Sequence, residues 1–212
     1  SVLFRSKRTT QRRIFLARVL CVMSTPSSAH KGINFAELHC LSNYSFLRGA
    51  SHPEELVERA HELGYQAIAL TDECTYSGLV KAHIAAEKLG IKLIVGAEFA
   101  FKTSPSGNSV TEKLVLLAPT RSAYGQLSAF ISALRRRAKK GSYSAELRDF
   151  SFGLKECLAL WIPYQRSIDQ QVAIGQQLKA ALPQLWLALE LFHHGQELDK
   201  TAHKLTLATR LQ

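Results

Sequence analysis

The sequence has only four cysteines, Cys21, Cys40, Cys74 and Cys157, and no two stand in a C-x-x-C spacing. That absence removes zinc-ribbon and dithiol redox chemistry and leaves isolated, reduced thiols of the cytosolic kind. No uninterrupted apolar stretch is long enough to span a bilayer, so no membrane partner is expected and the predicted location is cytoplasmic. Low-complexity tracts are missing, and the only repetition is one of secondary structure. Acidic residues are absent from residues 1–22, where Arg5, Lys7, Arg8, Arg12, Arg13 and Arg18 stand alone. Taking those six from the formal charge of +10 leaves +4 for the rest, which weakens a nucleic-acid reading based on charge alone. Methionine occurs once, at Met23.

The acid-free leader admits three readings. It has the basic, Ser/Thr-bearing composition of a mitochondrial transit peptide. As a secretory signal it is poor, because Arg18 interrupts the apolar segment 14–22 and no small-residue cleavage site follows. The third reading takes Met23 as the biological start and residues 1–22 as an upstream extension of the frame. Residues 1–33 are expected to be a basic leader and linker, of which residues 1–22 are dispensable and poorly ordered, since they lack a sustained apolar face.

What the sequence does contain is concentrated in residues 35–99, which parse as strand, helix, strand, helix, strand. Ser51-x-x-Glu54 has a capping-box spacing, Leu56, Ala60 and Leu63 follow at helical intervals, and Gly64 closes the helix. Residues 67–71 are a continuous apolar run of the type buried in parallel sheets, ending on Asp72. Residues 77–89 repeat the helical pattern to Gly90, and an apolar run from 92 leads to Glu98. Residues 102–112, rich in Ser, Gly and Thr, read as an exposed loop or hairpin tip. Further strands are predicted at 114–118, 157–162 and 185–191, with helices over 121–140, 168–181 and 198–211. With 36–41, 67–71 and 92–97 that makes six strands, all expected to be parallel, in an α/β architecture. Six units fall short of a closed barrel, so the domain is expected to continue beyond this chain.

His39, Asp72 and Glu98 each fall near the carboxyl end of a strand, the edge where α/β folds gather ligands and catalytic groups. Cys40 alternates with His39 along its strand and points away from any ion held there. The run Arg135, Arg136, Arg137, Lys139 and Lys140 closes the long helix. It fits cations at the negative end of a helix dipole, and it fits phosphate contacts.

The segments ELHCLSNYSFLRGASHPEELVERAHELGY, AIALTDE, GIKLIVGAEF, LVLLAPTRSAYGQLSAFISALRRRAKKGSY, CLALWIP and LWLALELFHHG resemble, in order, the PHP (polymerase and histidinol phosphatase) domain. The likeness is to the error-prone branch of bacterial family C DNA polymerases, paralogues of the polymerase III α subunit, and it runs from about residue 34 to the end. The resemblance implies a distorted (β/α)7 TIM-like barrel over 34–212, incomplete at its C-terminal side. It implies a parent DNA-directed DNA polymerase serving damage-induced mutagenesis and translesion synthesis. That parent would use magnesium, bind DNA and meet other subunits of the mutagenesis machinery, with its palm carboxylates downstream of this chain. A bacterial origin also favours Met23 as the start. The competing expectation is a free-standing metal-dependent phosphoesterase resembling histidinol phosphatase.

Intact domains of this family hold two or three ions, often zinc or manganese, on histidines and carboxylates, and the ions activate water for phosphoester hydrolysis. Carried over position by position, the ligand pattern is half lost. His39, Asp72, Glu98 and His194 (or His193) match it, whereas Leu41, Arg48, Glu73 and Lys113 stand where ligands are expected. A leucine offers no lone pair, and Arg48 and Lys113 bring positive charge. The remnant is expected to hold one divalent ion or none, and Asp72 and Glu98 are expected to pair with Arg48 and Lys113.

Overall fold

A computed structural model describes residues 14–15, 35–103, 111–151, 153–164, 166–190 and 197–211. Its centre is one curled seven-stranded sheet. The strands are β1 (Ile14–Phe15), β2 (Ala36–Cys40), β3 (Ala67–Leu70), β4 (Lys92–Lys102), β5 (Thr111–Ala118), β6 (Leu158–Ile162) and β7 (Leu185–Ala188), in spatial order β1-β7-β6-β5-β4-β3-β2. Four helices connect strands, α1 (Pro53–Glu62), α2 (Leu79–Leu89), α3 (Arg121–Arg136) and α4 (Ile168–Ala181), and α5 (Glu197–Arg210) follows β7.

The α/β architecture is as expected, but the strands are not all parallel. β5 runs antiparallel to both β4 and β6, while β1, β7 and β6, and likewise β2, β3 and β4, pair in parallel. The reason lies in the connection. Residues 103–110 are too few for the dozen or more that a parallel crossover needs, so β4 and β5 form a long-armed hairpin. β4 also runs on through Phe99–Phe101 to Lys102 and is far longer than its neighbours. Glu98 therefore lies within a strand rather than beyond its end. It reaches a rim only because β2 and β3 stop beside it.

Alternation along β4 and β5 sends their side chains to two environments. Phe99, Phe101, Leu114 and Leu116 face the helices and join Phe130, Phe150 and Trp161 in the main core. There Phe99 packs edge-on against Phe130 at 5.2 Å, and Phe101 against Phe150 at 5.0 Å. Contacts of this kind add about 0.5–1.5 kcal/mol each beyond burial. Val115 and Leu117 face the concave side with Ala69, Leu160 and Ala188. Towards the amino ends of the parallel strands that side opens into an apolar hollow of about 350 Å³ lined by Leu38, Ile94, Leu117, Leu158 and Trp186.

Helix α1 starts one residue later than the capping-box spacing predicts. His52 is its N-cap, and the His52 N–H donates to the Glu55 carboxylate at 2.8 Å. Gly90 caps α2 at φ 71°, a left-handed conformation that an L side chain rarely takes. Among the described residues no helix is long and apolar enough to cross a membrane.

Candidate functional site

The carboxyl ends of the parallel strands form the rim of the curled sheet, and Glu98 is the buried centre of what gathers there. Its backbone N–H donates to Thr71 and Asp72 carbonyls at the end of β3, which fixes its height in the sheet. Its side chain, fully buried, meets three cationic groups. His39 Nε2 lies 2.8 Å from Oε2, Arg48 donates to both carboxylate oxygens, and Lys113 Nζ stands 3.9 Å from Oε2. Arg48 also reaches Glu73 at 2.8 Å. Tyr143 then donates to the other Glu73 oxygen at 2.7 Å.

His39 bridges the two sides of the curl. Its Nδ1 lies 2.6 Å from Glu190 Oε1, two residues beyond β7, so a side chain on the edge strand β2 touches the far end of the sheet. Burial works against a charged imidazole, but the hydrogen bonds and charges of Glu190 and Glu98 overcome it and lift the His39 pKa to about 9. Glu98 shows the counterpart. Burial pushes its pKa up, yet the hydrogen bonds from His39 and Arg48 and the charges of His39 and Lys113 hold it down at about 2. Glu37, which accepts from the His39 N–H at 3.0 Å, is pushed up to about 7, chiefly by burial.

Asp72 is not part of this ion cluster, contrary to the expected pairing with Arg48 or Lys113. It accepts from the Ser42 N–H and Oγ and from Ser45 Oγ, each at 2.7 Å. Those bonds satisfy a buried carboxylate without a cation and anchor the loop after β2. Leu41 stays half-buried at the root of that loop. His193 and His194 lie outside the described residues.

The basic run at the end of α3 divides in two. Arg135 donates to the Glu73 and Cys74 carbonyls, and Arg137 binds Asp149 and the Ser144 carbonyl, so both tie the fold together. Arg136, Lys139 and Lys140 are exposed.

Sequence reasoning missed Glu190 and Tyr143. Glu190 follows an apolar run, as Asp72 does, but with a strand drawn to residue 191 it fell inside the strand. The observed strand stops at Ala188. Tyr143 lies in a connection with no pattern that points to the rim.

Among the described residues no three His, Cys, Asp or Glu side chains are grouped so as to hold a metal ion. The donors that are present do not fit a divalent ion as they stand. Glu98 and Glu73 already share the Arg48 guanidinium, and Lys113 adds a second positive charge where an ion would need negative or neutral ligands.

The PHP domain family model matches residues 37–202. The chain is 41% identical over 188 residues to an error-prone DNA polymerase of Saccharophagus degradans, covering 84% of this chain and 18% of that protein. It is 49% identical over 162 residues to an error-prone DNA polymerase of Methylococcus capsulatus, covering 76% of this chain and 15% of that one. The chain thus spans less than a fifth of the length of these relatives. In fold it is similar to a candidate metal-dependent phosphoesterase from Bifidobacterium adolescentis, with a TM-score of 0.59 at 16% identity over 86% of this chain and 85% of that one.

Proposed function

The chain belongs to the PHP domain family, and from that premise we propose that residues 34–212 are the PHP domain of an error-prone DNA polymerase whose nucleotidyl transfer is carried out elsewhere in a longer polypeptide. Its part in that enzyme is to support, not to hydrolyse. One observation carries this reading: the Arg48 guanidinium lies between Glu98 and Glu73 and bonds both, so these carboxylates are already matched by a side-chain cation. A metallophosphoesterase requires ions that lower the pKa of a bound water and neutralise phosphate oxygens. Here Arg48, Lys113 and His39 neutralise the carboxylates instead, and no water is activated. A zinc or manganese ion on His39, Glu98 and His194 would have to displace Arg48 first.

The polymerase reading brings the wider role with it. The parent enzyme would use magnesium, take DNA as substrate and work with other proteins of damage-induced mutagenesis in the cytoplasm, copying past lesions. The free-standing phosphoesterase reading is disfavoured by the matched carboxylates and by the polymerase relatives.

A single experiment tests the core of the proposal. The purified chain is titrated with zinc and manganese on p-nitrophenyl phosphate and on a 3′-mismatched primer. No turnover above a mock purification is expected with either metal. Turnover abolished by His39→Ala or Glu98→Ala would make the rim a working hydrolase and reverse the reading.

A further inference from the structure

The loop after β2 holds two large apolar side chains out in water at the mouth of the site. Phe46 is 83% exposed and Leu47 is 90% exposed. Leu47 takes φ 61°, a left-handed conformation unfavourable for a leucine, without any burial in return. The loop has little freedom to relieve this. Ser42 and Ser45 bind Asp72, the Asn43 N–H donates to the Ser51 carbonyl at 2.8 Å, and Arg48 is bound to Glu98 and Glu73. A Cβ on Gly49 would stand 2.0 Å from the Ser42 carbonyl oxygen, so the backbone is tightly packed there as well. The bonds around it therefore hold the loop in this conformation with Phe46 and Leu47 exposed.

Cations stand on the other side of Glu73. Arg48 touches the Glu73 carboxylate and Arg135 touches its carbonyl, so the loop and the end of α3 flank one residue. Beyond Arg135 come Arg136, Lys139 and Lys140, all exposed. The acidic groups nearby are already matched: Glu73 by Arg48 and Tyr143, Asp149 by Arg137, Glu146 by Arg148. The three exposed cations therefore leave a local positive field at the end of α3, which the loop carrying Phe46 meets through Glu73.

We propose that this crest binds single-stranded nucleic acid, with Phe46 as a stacking platform for a base, Leu47 wedged beside it, and Arg136, Lys139 and Lys140 on the phosphates. Aromatic stacking combined with unmatched cations is what single-strand binding surfaces use, and a strand of several nucleotides would span from the loop to the end of α3. An acidic protein segment would be drawn by the same charge. The preference for nucleic acid over it rests on the polymerase reading above.

The test is fluorescence anisotropy of the full chain with a labelled oligothymidylate, its duplex form and an oligoglutamate, over a range of salt. Salt-sensitive binding that favours the single strand is expected. The triple variant R136E/K139E/K140E should weaken it at least about tenfold and flatten the salt dependence by about two units of slope. Phe46→Ala should weaken it about fivefold or more and reduce the preference for single strand over duplex. Leu47→Gly supplies a folding control. It relieves the φ, so thermal stability should hold or rise while binding falls.

Absence of salt-sensitive binding, indifference to Phe46→Ala and the triple variant, or tighter binding of oligoglutamate would each overturn the inference. Primer extension by the longer polypeptide is a separate readout. Extension without oligonucleotide binding by this chain would sink the crest and leave the polymerase reading intact. Failure of extension by that polypeptide would sink the polymerase reading, and the anisotropy titration would still decide the crest by itself.

Discussion

Glu98 and Glu112 lie on paired strands of the same hairpin, both are wholly buried, and each faces an arginine. Yet they are pushed in opposite directions. On the concave side, Glu98 is held down at about 2 despite burial, because His39, Arg48 and Lys113 converge on it. On the helix-covered side, burial raises Glu112, and the Tyr164 N–H, the Trp161 Nε1–H and the charge of Arg166 only partly offset it. Burial alone does not set the state of a carboxylate. The number of cations that can reach it does, and the rim admits more of them than the packed side of the sheet.

The sharpest way to break this contrast is to remove Glu98. Glu98→Ala removes the carboxylate that Arg48, His39 and Lys113 share, leaving Arg48 with Glu73 alone and His39 with Glu190 alone, and should cost about 3–5 kcal/mol by urea denaturation. A loss below about 1 kcal/mol would mean that the cluster adds nothing net. The double variant Glu98→Leu with Arg48→Met should restore most of that loss, since a packed apolar pair can replace a buried ion pair at little cost.

Next comes His39→Gln, expected to cost about 1–3 kcal/mol near pH 6. Because the folded-state pKa of His39 is raised, its contribution is fully present below about pH 6.5 and is lost as pH rises through about 9. Stability curves of the variant and the parent should therefore converge in alkali. A gap unchanged by pH would mean that His39 acts through packing only. Glu98 gives the opposite profile: its depressed pKa makes its contribution present above about pH 4.5 and lost as pH falls towards about 2.

The smallest effect belongs to Glu112→Gln, which keeps acceptors for Trp161 and Tyr164 and should change stability by about 1 kcal/mol or less at neutral pH. Since the Glu112 pKa is raised, the parent loses stability as pH climbs through it, whereas the amide does not titrate. The variant should thus gain on the parent with rising pH. A variant that loses ground instead would place Glu112 with Glu98 as a stabilising anion.

Most helices and strand positions were legible in the sequence, but the two-residue β1 within the leader, and the extension of β4 to Lys102 and of β5 back to Thr111 into a stretch read as loop, were not. Apolar runs ending on Asp72 and leading to Glu98, and the helices closed by Gly64 and Gly90, are local patterns that depend on a few neighbouring residues. Arg48 and Lys113 were also legible as cations near the rim, and the structure sets both against Glu98.

The packed fold set the direction of β5: side-chain alternation reads the same up or down a strand, and the connection is short because β4 runs on to Lys102 and β5 begins at Thr111. It also decided which partner each charge took. Arg48 went to Glu98 and Glu73 and left Asp72 to two serines, while His39 found Glu190 151 residues away. Such pairings depend on the curl that brings the two sides of the sheet together. That curl is a property of the whole packed sheet, and no short stretch of the chain encodes it.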